Sequence, residues 1–372
     1  MRLKKKWHVI VVAVATMLML VPAAGADEQY TFESPVYDIA ATPAGSILVG
    51  ENADGTFEVK EIRRGEVGTV IEVDAESAIN GLDALGRGNF YLTTGGTDLA
   101  QNGELWRVSR GVAREVADLA AFERNNDPDA LAGPQWKDQA CEAIDGFSAG
   151  PQNNPFHVTA LSGGTALVAD AAGNTLLSAT TSGVIDWRAL FTPPVDSNGD
   201  WMIRWFAGDI PCYVQPVPTS VAIGPGGDLY VGELTGALSE EDGVLPIGLS
   251  RVWRIDAGAN NVVCSQTDPA PDCELLIDGL TSVIDVAFGP DGLLYVVEYD
   301  ANSWIAAFAS GLAAGGNISA YDPDSGALVR DVASGLDFPS AITFDKRGNL
   351  WLLENNDTRV IMGDPPTVRM LP

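Results

Sequence analysis

The sequence is poor in positive charge and in histidine. It carries 22 lysines and arginines against 50 aspartates and glutamates, which gives a formal net charge of −28 at pH 7. An acidic surface of this kind repels phosphate groups, so we expect no nucleic acid as a partner. His8 and His157 are the only histidines, which excludes a zinc site built from several imidazoles.

Cysteine is also scarce, and no common cofactor motif is present. The four cysteines are Cys141, Cys212, Cys264 and Cys273, and none of them forms a C-x-x-C pair. An even number of cysteines in an exported chain predicts two disulfides. We favour Cys264–Cys273, which closes a short loop, together with Cys141–Cys212. The sequence contains neither a phosphate loop nor a dinucleotide fingerprint.

The only long apolar run lies at the start of the chain. Residues 1–26 combine a basic start, an apolar run from Trp7 to Val21 and the small residues Ala24-Gly25-Ala26. This pattern is typical of a cleaved signal peptide, and the run is short for a membrane span of about 20 residues. The alternative is an uncleaved anchor. We predict a secreted or cell-envelope protein without a membrane span, a monomer in which residues 27–372 form one domain.

One sequence pattern recurs six times along the chain. Each copy has an apolar strand, a turn with glycine, a second strand and a following polar residue, and further strand-like runs such as TFEVKEIR at 56–63 separate the copies. The copies align on Gly45, Gly88, Gly164, Gly227, Gly292 and Gly348. Four strands in each of six repeats predict an all-β fold, a six-bladed β-propeller with four antiparallel strands per blade. A β-sandwich needs only about seven strands. We expect residues 31–34 to join the last blade and close the ring.

Long insertions interrupt the repeats at 121–153, 191–216, 234–249 and 299–315. In a propeller these connections all leave on one face, which we call the insertion face. This face receives four tryptophans, Trp136, Trp201, Trp205 and Trp304. Tryptophan suits ligand or protein contact, so we predict a binding surface here. The alternative is that the four indoles cover small cores within the insertions themselves.

Acidic residues recur at two positions of the repeat. Six residues after the turn glycine stand Glu51, Asp170, Glu233, Glu298 and Glu354, whereas Thr94 breaks the series. Seven residues before the glycine stand Asp38, His157 and Asp285. We predict that these side chains surround the axial opening, where converging carboxylates bind Ca²⁺ or another divalent cation. The alternative is that each acid caps a neighbouring strand or turn.

Other candidate chemical groups are few. His157 is the one histidine outside the predicted signal peptide, and hence the only candidate general base with a pKa near neutrality. The alternative is a structural role. The loop DSNGD at 196–200 resembles a calcium loop, but Trp201 and Ala207 replace the glycine and glutamate of an EF-hand. Segments 125–129 and 322–326 are predicted to be turns.

Several segments of the sequence resemble the exported bacterial ScyD/ScyE family. They are VPTSVAIGPGGDLYVGELTG, VIDVAFGPDGLLYVVE, LAAFERNNDPDA and NPFHVTAL. The resemblance covers about residues 35–355 and implies a six-bladed propeller whose biochemical role is unassigned. The GPDGxLYV turns are shared with NHL-repeat propellers, gluconolactonases and streptogramin lyases, so they specify the fold better than the function.

The sequence departs from the enzymes among these propellers. Gluconolactonase-like enzymes hold a divalent metal with Glu, two Asn and Asp near the axis. The strand-start positions here are Asp38, Gly81, His157, Ser220, Asp285 and Ala341. They include no asparagine, and one histidine does not complete the pattern of the streptogramin lyases.

Three functions remain open from the sequence. We favour a secreted propeller that binds a small molecule, an extracellular protein or a glycan on its acidic insertion face, without enzyme chemistry. The alternatives are a metal-assisted hydrolase, lactonase or lyase that uses the acidic mouth and His157, and an interaction module of the cell envelope.

Overall fold

The structure is a computed structural model that describes residues 28–372 except 54, 87, 97–100, 133–150, 237–244, 308–310 and 357–363. The predicted signal peptide, Trp136 and Cys141 therefore lie outside the described residues. Within the described ranges, no helix is both long and apolar enough to cross a bilayer.

Strands make up most of the described chain. The first thirteen are β1 (Gln29–Thr31), β2 (Val36–Ala41), β3 (Ile47–Ala53), β4 (Thr56–Arg63), β5 (Glu66–Val73), β6 (Ala78–Gly86), β7 (Asn89–Gly95), β8 (Glu104–Ser109), β9 (Val112–Asp118), β10 (Pro155–Ser162), β11 (Thr165–Asp170), β12 (Thr175–Thr180) and β13 (Ile185–Phe191). The next seven are β14 (Ile203–Ala207), β15 (Ile210–Tyr213), β16 (Pro218–Ile223), β17 (Leu229–Glu233), β18 (Ser250–Ile255), β19 (Val262–Cys264) and β20 (Cys273–Leu280). The last seven are β21 (Val283–Phe288), β22 (Leu294–Glu298), β23 (Gly316–Tyr321), β24 (Leu328–Leu336), β25 (Ala341–Phe344), β26 (Leu350–Glu354) and β27 (Thr367–Met370). Two short helices, α1 (Leu119–Asn126) and α2 (Pro128–Ala132), follow β9.

The strands form a six-bladed propeller, as the repeat predicts. Blades 1 to 6 are β2–β5, β6–β9, β10–β13, β16–β17–β18–β20, β21–β24 and β25–β26–β27–β1. The first strands of adjacent blades contact one another in a closed ring. These six strands therefore surround the axis, and the later strands of each blade lie progressively farther out.

The hydrophobic core lies between blades rather than at one centre. Six clusters of buried apolar side chains each join two adjacent blades, as where Leu48 of blade 1 packs with Leu92 of blade 2. Residues six before and three after each turn glycine are buried in every blade, as expected for strands that turn alternate side chains toward the interior. Five of the six turn glycines have positive φ, Gly164 being the exception, as tight turns require.

The amino-terminal strand closes the ring. β1 pairs antiparallel with β27, placing Tyr30 opposite Val368, and the Phe32 N–H donates to Pro366 O at 2.9 Å. The expected closure by this segment is confirmed, with the paired strand slightly earlier than residues 31–34. Joining the two ends of the chain in one sheet gives the last blade its fourth strand.

A disulfide ties an added strand to blade 4. Cys264 and Cys273 are bonded, which confirms the favoured pairing. Cys264 ends β19, which extends the outer edge of blade 3 as a parallel strand against β13. The bond therefore links the rims of two adjacent blades. Cys212 is also in a disulfide, and Cys141, its expected partner, lies outside the described residues.

The insertions leave the blades at the ends where the first strands begin. Helices α1 and α2 follow the outer strand of blade 2, and the β14–β15 hairpin follows that of blade 3. A short 3-10 helix, Trp304–Ala307, lies between the second and third strands of blade 5. Because adjacent strands are antiparallel, all three connections lie on one side, the insertion face.

Candidate functional site

The first strands of most blades carry a bulge near the residues that line the axis. In five blades the register between the first and second strands shifts near one position, which lies seven residues before the turn glycine. A bulge bends a strand and re-aims its side chains. The affected positions include Asp38, His157 and Asp285, each the third residue of its strand and hence near the insertion face.

Asp38, His157 and Asp285 meet at the axis, and we call them the axial trio. His157 Nε2 lies 3.9 Å from Asp38 Oδ2 and 3.9 Å from Asp285 Oδ1. The two aspartates are 4% and 3% exposed. Residues from blades 1, 3 and 5 thus form one polar group, in which the two aspartates are buried and His157 is partly exposed.

Each member of the trio also binds the next blade. Asp38 Oδ2 accepts from Leu82 N at 2.7 Å, and Asp285 Oδ2 accepts from Ile342 N at 2.8 Å. His157 Nδ1 accepts from Val221 N at 3.4 Å. The trio therefore joins blades 1 to 2, 3 to 4 and 5 to 6, in addition to lining the axis.

Small residues occupy the equivalent positions in the intervening blades. They are Gly81, Ser220 and Ala341. At Gly81 a Cβ atom would lie 2.9 Å from His157 Cα, closer than side-chain atoms normally approach a backbone. The alternation of large polar and small residues allows three polar side chains to share the narrow axis.

The hydrogen bond from Val221 assigns the histidine tautomer. Because Nδ1 of His157 accepts that N–H, the neutral ring carries its proton on Nε2, facing the two carboxyl groups. Burial lowers the pKa of His157 to about 4, and a proton on Nδ1 would also break the bond with Val221. The geometry therefore gives His157 the role of a hydrogen-bond donor near neutral pH.

Burial has the opposite effect on the two aspartates. It raises the pKa of Asp285 to about 7. The pKa of Asp38 is raised well above its usual value by burial and then by the charge of Asp285. Each carboxyl group nonetheless accepts two backbone N–H groups. The aspartate pair can therefore hold a proton close to neutral pH.

Most of the acids near the ends of the second strands accept backbone N–H groups from the segment just before the first strand of the same blade. Glu298 Oε1 accepts from Thr281 N at 2.6 Å, and Asp170 Oδ1 accepts from Asn154 N at 2.6 Å. Glu51 and Glu354 accept equivalent N–H groups in blades 1 and 6. These contacts fasten the connection that leads into each blade, which is the capping arrangement. Metal binding by these acids stays a prediction.

Glu233 differs because its partner is a buried arginine. Arg251 Nε lies 2.6 Å from Glu233 Oε2, and both side chains are fully buried. Arg251 also donates to Thr192 O of the segment after blade 3 at 2.8 Å and to Gln266 Oε1 at 2.7 Å. Burial raises the pKa of Glu233 to about 7 despite Arg251. This ion pair forms part of the contact between blades 3 and 4.

The described tryptophans of the insertion face pack against their neighbours. Trp201 stacks edge-on with Tyr213, with ring centroids 5.7 Å apart, and Trp304 Nε1 donates to Thr235 O at 3.0 Å. Trp205 lies on the β14–β15 hairpin opposite Cys212. All three are partly exposed. Ligand contact by these three residues, and by Trp136, stays a prediction.

Several apolar side chains of the insertions are exposed, which the sequence did not indicate. Phe206 of the same hairpin is 59% exposed, and Ile247 and Leu312 of two other insertions are 50% and 46% exposed. Isolated exposed apolar residues are common on soluble proteins. The sequence offered no signal for them, because exposure of a loop residue depends on how the loop packs.

Known structures share this fold at low sequence identity. A putative oxidoreductase (glucose dehydrogenase) from Thermus thermophilus is 15% identical, with a TM-score of 0.52 over 93% of this chain and 100% of its own. A gluconolactonase from Xanthomonas campestris is 13% identical, with a TM-score of 0.52 over 92% of this chain and 89% of its own. The virginiamycin B lyase of Staphylococcus aureus is 12% identical, with a TM-score of 0.47 over 88% of this chain and 81% of its own.

These likenesses show the fold alone, because one propeller fold carries several unrelated activities. No protein-family model matches the chain, and no curated protein matches it. Function has to be argued from the residues of this chain.

Proposed function

We propose that this protein binds a small hydroxylated molecule at the axial mouth of its insertion face. The observation that carries the proposal is the spacing within the axial trio. His157 Nε2 stands 3.9 Å from one oxygen of each aspartate, which is beyond hydrogen-bond distance. Its N–H therefore faces two acceptors without bonding to either.

A hydroxyl group matches this arrangement. It accepts a hydrogen bond from His157 Nε2 while it donates one to Asp38 or Asp285, since a hydroxyl is both donor and acceptor. Polyols, sugars and sugar acids present several such groups. This ligand class agrees with the expectation of a small molecule or glycan on the acidic face.

His157 provides the test, because it is the one histidine outside the predicted signal peptide. We would label histidine with ¹⁵N in the purified protein and titrate it with D-glucose, D-gluconate and glycerol. Binding predicts a saturable shift of the Nε2 resonance, which Asp38→Asn weakens and Asp331→Asn, an exposed control on β24, leaves unchanged. No shift with any of the three probes would contradict the proposal.

A second candidate function is acid–base catalysis, with Asp285 as the proton carrier. Its pKa of about 7 suits a group that gives and takes a proton near neutral pH, and His157 would act as the donor that orients the substrate. Hydrolysis of D-glucono-1,5-lactone tests this reading. Turnover should fall at least about 100-fold in Asp285→Asn, whereas a pure binding protein shows no turnover above buffer.

We further propose that the protein is an exported member of the ScyD/ScyE family. The basic and apolar segment at 1–26 supports export, and the bonded Cys264–Cys273 pair agrees with an oxidising compartment. Fractionation of the source cells tests the location. Sequencing the amino terminus should find a chain that begins at Asp27, and a chain retaining residues 1–26 in the cytoplasm would contradict export.

A further inference from the structure

A cluster of acids lies in the crossover between blades 2 and 3. The Asp118 side chain caps helix α1 through Ala121 N at 2.7 Å, and the helix ends at Asp127, whose φ is 42°. Glu123 lies in α1, Asp127 is the residue that caps its carboxyl end, and Asp129 lies in the first turn of α2. Carboxylate oxygens of Glu123, Asp127 and Asp129 lie within 4.8 Å of one another.

The carboxylate of Glu123 is buried and unpartnered. The residue is 1% exposed, and neither Oε1 nor Oε2 has a hydrogen-bond partner. The same holds for Oδ1 of Asp127 and for Oδ2 of Asp170, which is itself fully buried. Three carboxyl groups, those of Glu123, Asp127 and Asp170, thus present four buried oxygens that no donor of the described residues satisfies.

Such an arrangement is costly unless a cation compensates it. Burial raises the pKa of Glu123 to about 10, and the charges of Asp170, Asp129 and Asp127 add to the effect. Among the described residues, no lysine or arginine forms an ion pair with this cluster. Buried carboxylates in proteins are normally paired or bound to a metal.

We propose that Glu123, Asp127 and Asp129 bind a Ca²⁺ ion. The ligand set is all oxygen, which Ca²⁺ and Mg²⁺ prefer over zinc or copper. Ca²⁺ holds its ligands at about 2.3–2.6 Å, so ligand oxygens up to about 5 Å apart fit around one ion. Mg²⁺ requires a nearly ideal octahedron and keeps several of its waters, so a ligand set made of protein carboxylates favours Ca²⁺.

A bound ion would stabilise the connection between blades 2 and 3, which contains α1 and α2, beside blade 3. Asp170 of blade 3 accepts from Asn154 N and Gly173 N through Oδ1, and its buried Oδ2 has no hydrogen-bond partner. Asn174 Nδ2 donates to Asp129 Oδ2 at 3.1 Å and holds α2 against the same blade. The site is separate from the axial trio and does not depend on the proposed ligand there.

Calorimetry and thermal unfolding of the purified protein test the site. After EDTA treatment and buffer exchange, titration with CaCl₂ should give saturable binding with a Kd below about 1 mM and weaker binding of MgCl₂. Glu123→Gln should weaken Ca²⁺ binding at least about 100-fold. Glu115→Gln, on the exposed face of β9, is the matched control and should bind as the wild type does.

Thermal unfolding distinguishes metal binding by Glu123 from a purely structural role of this residue. In EDTA, Glu123→Gln should melt at a higher temperature than the wild type, because it removes a buried carboxyl group from an acidic cluster. In about 1 mM CaCl₂ the wild type should gain stability and the variant should not. Asp129→Asn provides a second variant if Glu123→Gln does not fold.

Two results would overturn the proposal. One is the absence of saturable Ca²⁺ binding up to about 10 mM in the folded wild type. The other is equal binding by Glu123→Gln, Asp129→Asn and the Glu115→Gln control. Tighter binding of Mg²⁺ than of Ca²⁺ would overturn the assignment of the ion.

Discussion

Asp38 Oδ2 accepts the backbone N–H of Leu82 at 2.7 Å, and this bond ties blade 1 to blade 2 beside the axis. Asp285 makes the equivalent bond to Ile342, from blade 5 to blade 6. The same carboxyl groups face His157. One set of side chains therefore both joins the blades and forms the candidate site, so variants there need separate measurements of stability and binding.

Loss of the Asp38 carboxyl group should destabilise the propeller. Asp38→Ala leaves the N–H groups of Ile39 and Leu82 without their acceptor, and a buried unsatisfied donor costs about 1–3 kcal/mol. We expect a loss of about 2 kcal/mol in the free energy of unfolding, measured in urea. Asp331→Ala, on the exposed part of β24, should change it by less than about 0.5 kcal/mol. Equal effects in the two variants would contradict the role of the axial bond.

Asp285 should make the protein less stable as the pH rises. The ordinary pKa of an aspartate is 3.8, and burial raises the pKa of Asp285 to about 7, so between these values the folded state binds more protons than the unfolded state. Its contribution to stability is full below pH 4 and is lost as the pH rises through about 7, with a limiting slope of about 1.4 kcal/mol per pH unit.

Asp285→Asn isolates this contribution. The difference in unfolding free energy between the wild type and the variant should move in favour of the variant from pH 5 to pH 8. In the variant, Asp38 no longer faces the charge of Asp285, which helps to raise its pKa in the wild type. This second effect also favours the variant at high pH. A difference independent of pH would show that Asp285 is ionised throughout this range.

His157 should remain neutral in mildly acidic solution. Burial lowers its pKa to about 4, and Val221 N–H occupies Nδ1. The ¹⁵N shifts of its ring should therefore stay those of the Nε2–H tautomer from pH 8 to about pH 5, unlike an exposed histidine, which titrates near 6.5. Titration near 6.5 would mean that the aspartates stabilise the imidazolium.

Breaking the buried ion pair of blade 4 should be more damaging than breaking an exposed one on the same strand. Arg251→Met leaves Glu233 buried without its partner, which costs about 3–5 kcal/mol. Arg254→Met removes the partly exposed pair with Glu274 and should cost less than about 1 kcal/mol. Urea unfolding measures the loss of unfolding free energy in each variant, and similar losses in the two would contradict the prediction. Replacing both members, as Arg251→Met with Glu233→Leu, should recover much of the loss.

The propeller was predictable because its signals are local and repeated. A turn glycine such as Gly292 needs positive φ, and the alternation around it places Val286 and Tyr295 in the interior. These requirements depend on residues close in sequence and recur in every blade. Closure by the segment near Thr31 followed from the same repeat, since the last blade otherwise lacks a fourth strand.

The candidate site was only partly predictable. The position of the axial trio followed from the repeat, because equivalent residues of a propeller lie at equivalent radii. The protonation of the trio could not be predicted from the repeat, because it depends on the N–H of Val221 and on the burial of each carboxyl group. The prediction of a turn at 125–129 was wrong, because this segment comprises the end of α1 and the start of α2, joined at Asp127. Its proximity to Asp170 was not visible, because the two are joined only through the packing of the crossover on blade 3.

The sequence by itself determined the number of blades and the positions of their turn glycines, and it favoured the Cys264–Cys273 disulfide, because each depends on local spacing. The tertiary structure alone decided which acids are satisfied and which are not. Glu298 binds the backbone of its own blade, whereas Glu123 is buried without a donor. The physical reason is that a carboxylate's energy depends on solvent exclusion and on nearby donors, and both are set by segments distant in the chain.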